Sequence, residues 1–210
     1  MSSDLFVTGT DTNVGKTVLS ALLVAALDGT YWKPIQTGSS EGTDRQSVMR
    51  MAELPEERTL RECYCFEPPV SPHLAARESG VAIRLDGIRK PQVARREPLI
   101  VEGAGGVLVP VNDEQTMLDL MQHLALPVVV ASRSALGTIN HTLLTVKVLR
   151  DAGIEVRGVV MIGKENPDNE RAVEYYGNVP IAGRIPVLEK IDRAALLNTF
   201  RSNFDASYFH

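Results

Sequence analysis

A short apolar run, Leu5–Thr8, leads without a break into Gly9-Thr10-Asp11-Thr12-Asn13-Val14-Gly15-Lys16-Thr17, and an amphipathic stretch follows. No other feature constrains the fold as much. A strand, a glycine-bearing turn and a helix ending its loop on Gly-Lys-Thr form the context of a phosphate-binding P-loop. The backbone N–H groups of Asn13 to Thr17 then converge on an anion at the positive end of a helix. Lys16 reaches the β- and γ-phosphates, and the Thr17 hydroxyl faces Mg²⁺. The spacing is not the usual one. Thr10 stands where the first glycine is expected, and Gly9 comes one position early. Gly-Lys-Thr alone also arises by chance; here the flanking strand and helix give it weight.

The rest of the chain repeats this alternation. Leu99–Glu102, Val128–Ala131, Val156–Ile162 and Pro180–Ile185 are short, apolar and β-branched, and Thr30–Lys33 is a weaker sixth strand. Continuous apolar runs suit a parallel sheet buried on both faces. Helices are predicted over Gly15–Leu27, with Val18, Leu19, Leu22, Leu23 and Ala26 on one stripe, and over Thr138–Ala152. Asp44–Ala52, Met117–His123, Asn169–Tyr176, Glu189–Phe200 and Leu85–Arg95 complete the set. The order predicts an α/β fold: a doubly wound, mostly parallel sheet with helices on both faces, in one domain over residues 1–210. The tail Arg201–His210 is polar and aromatic, without a clear pattern. Glu53–Pro72, charged and proline-bearing, reads as a long surface connection that lines a site.

Composition narrows the partners. With 22 Lys+Arg against 26 Asp+Glu the net charge is −4, which disfavours nucleic acid and anionic membranes. No apolar stretch approaches ~20 residues, and Met1–Asp4 lacks the features of a secretion leader, so the chain reads as cytoplasmic. Cys63 and Cys65 are too few for a structural zinc site and read as free thiols.

Three further residues face the P-loop if the sheet is built this way. Glu102 ends an apolar strand and precedes Gly103-Ala104-Gly105-Gly106, at the edge where open α/β sheets bind ligands. Asp44 is either a second metal carboxylate or a helix N-cap, and its spacing does not decide between them. Lys33, before Pro34, is either a second cation for an anionic co-substrate or a solvated lysine.

Taken together, Gly-Thr-Asp-Thr-x-Val-Gly-Lys-Thr, Lys33-Pro-x-x-Thr-Gly, Ser71-Pro72-His73, Val101–Gly106, Leu136–Leu143 and Gly183-Arg184-Ile185-Pro186 resemble the dethiobiotin synthetases, a branch of the P-loop NTPases. The resemblance spans residues of about 4 to 190. It implies an ATP-dependent cyclo-ligase of biotin synthesis. One amine of 7,8-diaminopelargonic acid takes up CO₂ as a carbamate, the carbamate attacks the γ-phosphate, and the second amine closes the ureido ring as phosphate leaves. It further implies that Lys16, Lys33, Thr12 and Thr37 are catalytic. Asn13, Val14, Gly15, Lys16, Thr17, Val18, Gly163, Ile185, Pro186 and Val187 bind nucleotide. Thr17, Asp44 and Glu102 hold Mg²⁺. Thr12, Lys33, Thr37 and Gly105 bind substrate, and Leu136, Gly137 and Asn140 receive its carboxylate from the other subunit of a homodimer. His73 and His141 read as structural.

Two positions depart from the pattern. Asn13 replaces a Glu often found in the family's P-loop. Ile162-Gly163 stands where members often carry an Asn that reads the base, which predicts relaxed selectivity, with CTP or GTP competing with ATP. Other classes fit less well. A partitioning-type ATPase switch carries an early P-loop lysine, where this chain has Thr10, Asp11 and Thr12. The synthetase domain of an amidotransferase carries an appended glutaminase domain, for which 210 residues leave no room. The synthetase subunit of an amidotransferase, with its glutaminase on a separate chain, stays as the alternative.

Overall fold

The computed structural model describes residues 4–92 and 97–209. Seven parallel strands form the main sheet: β1 Leu5–Gly9, β2 Thr30–Trp32, β4 Thr59–Leu60, β6 Leu99–Gly106, β7 Val128–Arg133, β8 Val156–Ile162 and β9 Ile181–Ile185. Their spatial order is β4-β2-β6-β1-β7-β8-β9. A small parallel pair joins β3 Ile35–Gln36 to β5 Tyr64–Cys65. The P-loop strand β1 is central, with β6 on one side and β7 on the other. Chain order reverses there, so the ligand crevice lies beyond its carboxyl end.

The apolar runs divide alternately between two cores. Phe6, Val101, Val128 and Val130 point to one face, under α3 Pro72–Glu78, α4 Met117–Leu124, α5 Thr138–Asp151 and α6 Pro167–Gly177. Leu5, Val7, Ile100 and Val129 point to the other, under α1 Lys16–Leu27, α2 Asp44–Ala52 and α7 Arg193–Asn203. Each large apolar side chain taken fully out of water contributes about 1.5–3 kcal/mol. In α1 the stripe Leu19, Leu22 and Leu23 is buried, but so are Ser20, Ala21, Val24 and Ala25. Contacts of α1 with both α2 and α7 cover its outer face.

Several boundaries differ from the sequence pattern, each for a local reason. Strand β6 continues past Glu102 to Gly106: the pairing with β1 shifts register between Val7 and Gly9, and the glycine run accommodates the irregularity and resumes by pairing Gly106 with Gly9. Helix α7 starts at Arg193, after Asp192 caps it by accepting from Ala195 N at 2.9 Å. Helix α3 carries no long amphipathic pattern but begins on Ser71-Pro72, a favourable first-turn proline. The predicted helix Leu85–Arg95 is only a 3₁₀ turn at Leu85–Gly87, and residues 93–95 lie outside the described residues. The tail is packed: Phe204 bridges to Gly183, and Phe200, Phe204 and Phe209 stack together. Cys63 and Cys65 are free and exposed.

Candidate active site

The loop between β1 and α1 obtains its shape from three residues. Asn13 and Gly15 adopt left-handed backbone, at φ 58° and 99°. Gly9 answers the irregular spacing: a Cβ there would stand 2.7 Å from Val14 Cγ2, so this glycine admits the Val14 side chain beneath the loop. Val14 is 2% exposed, which leaves only its backbone N–H for a ligand. Lys16 folds back and donates to Asp11 O at 2.9 Å. Burial, then the nearby Lys33 charge, lower its pKa to about 8.

Beside it lies a compact ionic cluster. Lys33, placed by the end of β2, sits 2.6 Å from Asp44 Oδ2 and 3.1 Å from Glu102 Oε1. Thr17 Oγ1 lies 2.9 Å from Asp44 Oδ1 and 3.0 Å from Glu102 Oε1. Burial draws the Lys33 ammonium down, but Glu102 and Asp44 outweigh it and hold it above the ordinary lysine range. Burial likewise pushes the Asp44 carboxyl up, and Lys33 beside it outweighs that, holding it below the usual range. Lys33 is only 5% exposed, which removes the solvated reading. Asp44 is not the N-cap of α2: Thr43 is, through a capping box with Gln46. The Asp44 side chain is thereby free for the cluster.

A single hydroxyl proton on Thr17 faces two carboxylates, and one O–H serves one acceptor at a time. Thr17 Oγ1, Asp44 Oδ1 and Glu102 Oε1 thus converge as three hard oxygen donors, a set that suits a small divalent cation such as Mg²⁺.

The sequence reading missed two residues that build the cluster. Gln36 accepts from Asp44 N at 3.0 Å and donates to Thr37 O at 2.7 Å, tying the start of α2 to the loop after Lys33. Tyr31 donates its hydroxyl to Glu102 Oε2 at 3.0 Å. Burial, then the Glu102 charge, push this phenol well above its ordinary range, so it remains a donor.

Thr17, Lys33, Gln36, Asp44 and Glu102 border a cleft of about 840 Å³. Of the predicted residues, Thr12, Asn13, Gly15, Lys16, Thr17, Val18, Lys33, Thr37, Asp44, Glu102 and Gly105 line it. Pro69–Pro72 line it too, so the Glu53–Pro72 connection does reach a site. Other predicted residues are not in it. Leu136, Gly137 and Asn140 are exposed at the start of α5. Gly163 and Pro186 border a separate pocket of about 170 Å³. Gly163 N donates to Ile185 O at 2.9 Å, so these two backbone groups satisfy each other, while Val187 is exposed. The side chain at the departure site, Ile162, packs on the P-loop: a Cβ on Gly15 would meet its Cδ1 at 2.9 Å. His73 Nδ1 is hydrogen-bonded to Ser71 Oγ at 3.0 Å, and His141 is exposed on α5.

Comparison with known proteins adds three findings. Residues 3–195 match a family model described as "AAA domain". The ATP-dependent dethiobiotin synthetase BioD of Nitrobacter hamburgensis is 48% identical over 204 residues, covering 97% of this chain and 95% of the relative. The proteins of that name from Rhodopseudomonas palustris (strain HaA2) and Brucella ovis are 46% and 44% identical over 209 residues, covering 100% of this chain and 97% and 98% of theirs. Among solved structures, the MinC:MinD cell division protein complex of Aquifex aeolicus aligns at TM-score 0.54 with 12% identity, covering 95% of this chain and 94% of that one. A ParA family ATPase from Chlorobium tepidum aligns at 0.51 with 13% identity, covering 94% and 90%. At such low identity these structures show a shared fold and nothing about a switch activity.

Proposed function

The chain belongs to the family of ATP-dependent dethiobiotin synthetases, and from that premise we propose that it closes the ureido ring of dethiobiotin from 7,8-diaminopelargonic acid, CO₂ and ATP. The observation that carries this reading is the placement of Lys33. A buried ammonium bridges the two carboxylates that the P-loop threonine also meets, beside a cleft large enough for two substrates.

The reaction takes three bond changes. An amine nitrogen adds to CO₂ and gives up a proton, forming a carbamate. A carbamate oxygen attacks the γ-phosphorus, and ADP leaves. The second amine attacks the carbamoyl carbon, the C–O bond to phosphate breaks, and phosphate departs. No side-chain nucleophile is needed, so the protein supplies position and charge.

The P-loop N–H groups from Asn13 to Thr17 cradle the phosphates, with the Val18 N–H close behind. Lys16 releases the Asp11 carbonyl and turns its ammonium to the β- and γ-oxygens. Lys33, with Thr12 and Thr37, holds the carbamate, and its raised pKa keeps it charged without lending a proton to an acid-labile group. Gly105, at φ 68°, lets the backbone of β6 approach the diamine. Thr17, Asp44 and Glu102 form the oxygen set for Mg²⁺, which neutralises phosphate charge when bound.

The working unit is a homodimer. Leu136, Gly137 and Asn140 are exposed at the start of α5, and Leu108 and Leu144, 58% and 54% exposed apolar side chains, line one groove with His141 of the same helix. The backbone N–H groups of Leu136, Gly137 and Asn140 receive the substrate carboxylate in the neighbouring copy's cleft. The site of action is the cytoplasm; among the described residues no helix is long and apolar enough to cross a membrane.

The test is incubation with the diamine, bicarbonate, Mg²⁺ and ATP. Dethiobiotin identified by mass, with ADP release that depends on the diamine, is the expected result. ATP hydrolysis indifferent to the diamine refutes the reading.

A further inference from the structure

Glu102 holds its place through both carboxylate oxygens, and the two are treated differently. Oε1 faces the cleft and meets Thr17 and Lys33. Oε2 faces away and meets one hydroxyl, that of Tyr31 at 3.0 Å. Tyr31 does not border the cleft, so its phenol touches neither substrate. It lies on β2, opposite Ile100 on β6, and Glu102 is two residues further along the same face. The ring is fully buried in the core that includes Leu22, Val48 and Ile100, which fixes where its hydroxyl points. Trp32, its neighbour on the strand, faces the opposite core and spends its indole N–H on Arg61 O.

A carboxylate on a two-carbon stem rotates unless both oxygens are held, and rotation turns a different lone pair toward a cation. Partners behind a ligand fix its orientation and commonly govern metal affinity roughly 10–100-fold. We propose that Tyr31 is a positioning residue for the divalent cation: its hydroxyl locks the Glu102 carboxylate with Oε1 aimed at the Thr17–Asp44 donor set. The proposal rests on the reading that Thr17, Asp44 and Glu102 hold that cation.

The experiment compares wild type, Tyr31→Phe and Glu102→Gln by direct binding. Mn²⁺ affinity is measured by electron paramagnetic resonance in the presence of a non-hydrolysable ATP analogue, and ADP affinity is measured separately in EDTA. Tyr31→Phe should weaken Mn²⁺ binding roughly 10–100-fold while leaving ADP binding in EDTA unchanged. In turnover the half-saturating Mg²⁺ should rise by a similar factor, with kcat at saturating Mg²⁺ close to wild type. Mn²⁺ affinity equal to wild type in a folded Tyr31→Phe protein overturns the proposal, provided Glu102→Gln has lost it. If Glu102→Gln also keeps wild-type Mn²⁺ affinity, the metal reading itself fails. Should Tyr31→Phe not fold, 3-fluorotyrosine labelling of wild type decides. Tyr31 is the fully buried tyrosine of the five. Its ¹⁹F resonance must shift when Mg²⁺ and the analogue are added, and an unmoved resonance overturns the proposal.

Discussion

Replacing Lys33 with Met keeps the aliphatic stem and removes the charge. The ammonium sits 2.6 Å from Asp44 and 3.1 Å from Glu102, and the Glu102 side chain is 0% exposed. Without it, two carboxylates face each other with only the Thr17 hydroxyl between them. Removing one partner of a buried ionic pair costs about 3–5 kcal/mol, because the remaining charge is stranded. Asp44, with 29% of its side chain exposed, passes part of its charge to water. The lower end, about 3 kcal/mol, is therefore the expected loss. In a chain of this size that corresponds to a fall in Tm of about 6–12 °C. The loss should shrink as pH falls, since protonating either carboxyl relieves the repulsion, and should shrink when Mg²⁺ is added at neutral pH. Turnover should drop by roughly 10²–10³, the usual effect of deleting a preorganised charge donor, while nucleotide binding survives. Scanning fluorimetry in EDTA and in Mg²⁺, with steady-state rates, checks all of this. A Tm unchanged in EDTA, or a near-normal rate, refutes the assigned roles of Lys33.

Other outcomes follow from individual residues. Lys16 at about 8 loses its proton in the ligand-free protein as pH rises, whereas phosphate binding needs the charged form. Nucleotide affinity should therefore fall above pH of about 8, by up to roughly tenfold per unit, with proton uptake on binding detectable by calorimetry in two buffers. Calorimetric Kd values independent of pH from 7 to 9.5 contradict the lowered Lys16 pKa. Ile162 packs on Gly15, and Gly163 N and Ile185 O bond each other, so neither of these backbone groups is free to read a base. Parallel titrations should then give ATP less than a roughly hundredfold advantage over CTP and GTP, and a larger one sinks the argument. Thr43→Ala removes the capping box that frees Asp44, and should cost about 1 kcal/mol in denaturant unfolding together with a rise in the KM for ATP. Gly183→Ala drives a methyl group into the Phe204 ring and should release the C-terminal tail, read as faster proteolysis after residue 200.

The sequence carried the frame of this site further than its details. Leu5–Thr8 before Gly-Lys-Thr was legible as the central strand because strand, turn and helix each leave their own periodicity. Glu102 stood out as an acid closing an apolar run. Lys33 and Asp44 were ambiguous for a physical reason. Whether a charged side chain is solvated or buried depends on which strands become neighbours, and β2 lies beside β6 across 69 residues of chain between Lys33 and Glu102. Tyr31 and Gln36 were invisible for the same reason, since their partners are fixed by register and not by local pattern. The tail lacked periodicity because Phe204 bridges to β9 at Gly183 and packs with Phe209 against Phe200 of α7, rather than along one helix face. The Leu136–Asn140 segment read as a binding loop, yet it lies outside this chain's own cleft, and only in the proposed homodimer would it reach a substrate.

The central claim is that this cleft activates a carbamate by phosphoryl transfer. The direct measurement is the fate of ¹⁸O supplied as labelled CO₂ and followed before exchange with solvent. Attack of a carbamate oxygen on the γ-phosphorus, then ring closure with cleavage of the C–O bond, must carry one label into the released phosphate and leave the other in the ureido carbonyl. Labelled phosphate formed together with dethiobiotin is the result the account requires. Unlabelled phosphate alongside labelled dethiobiotin contradicts it.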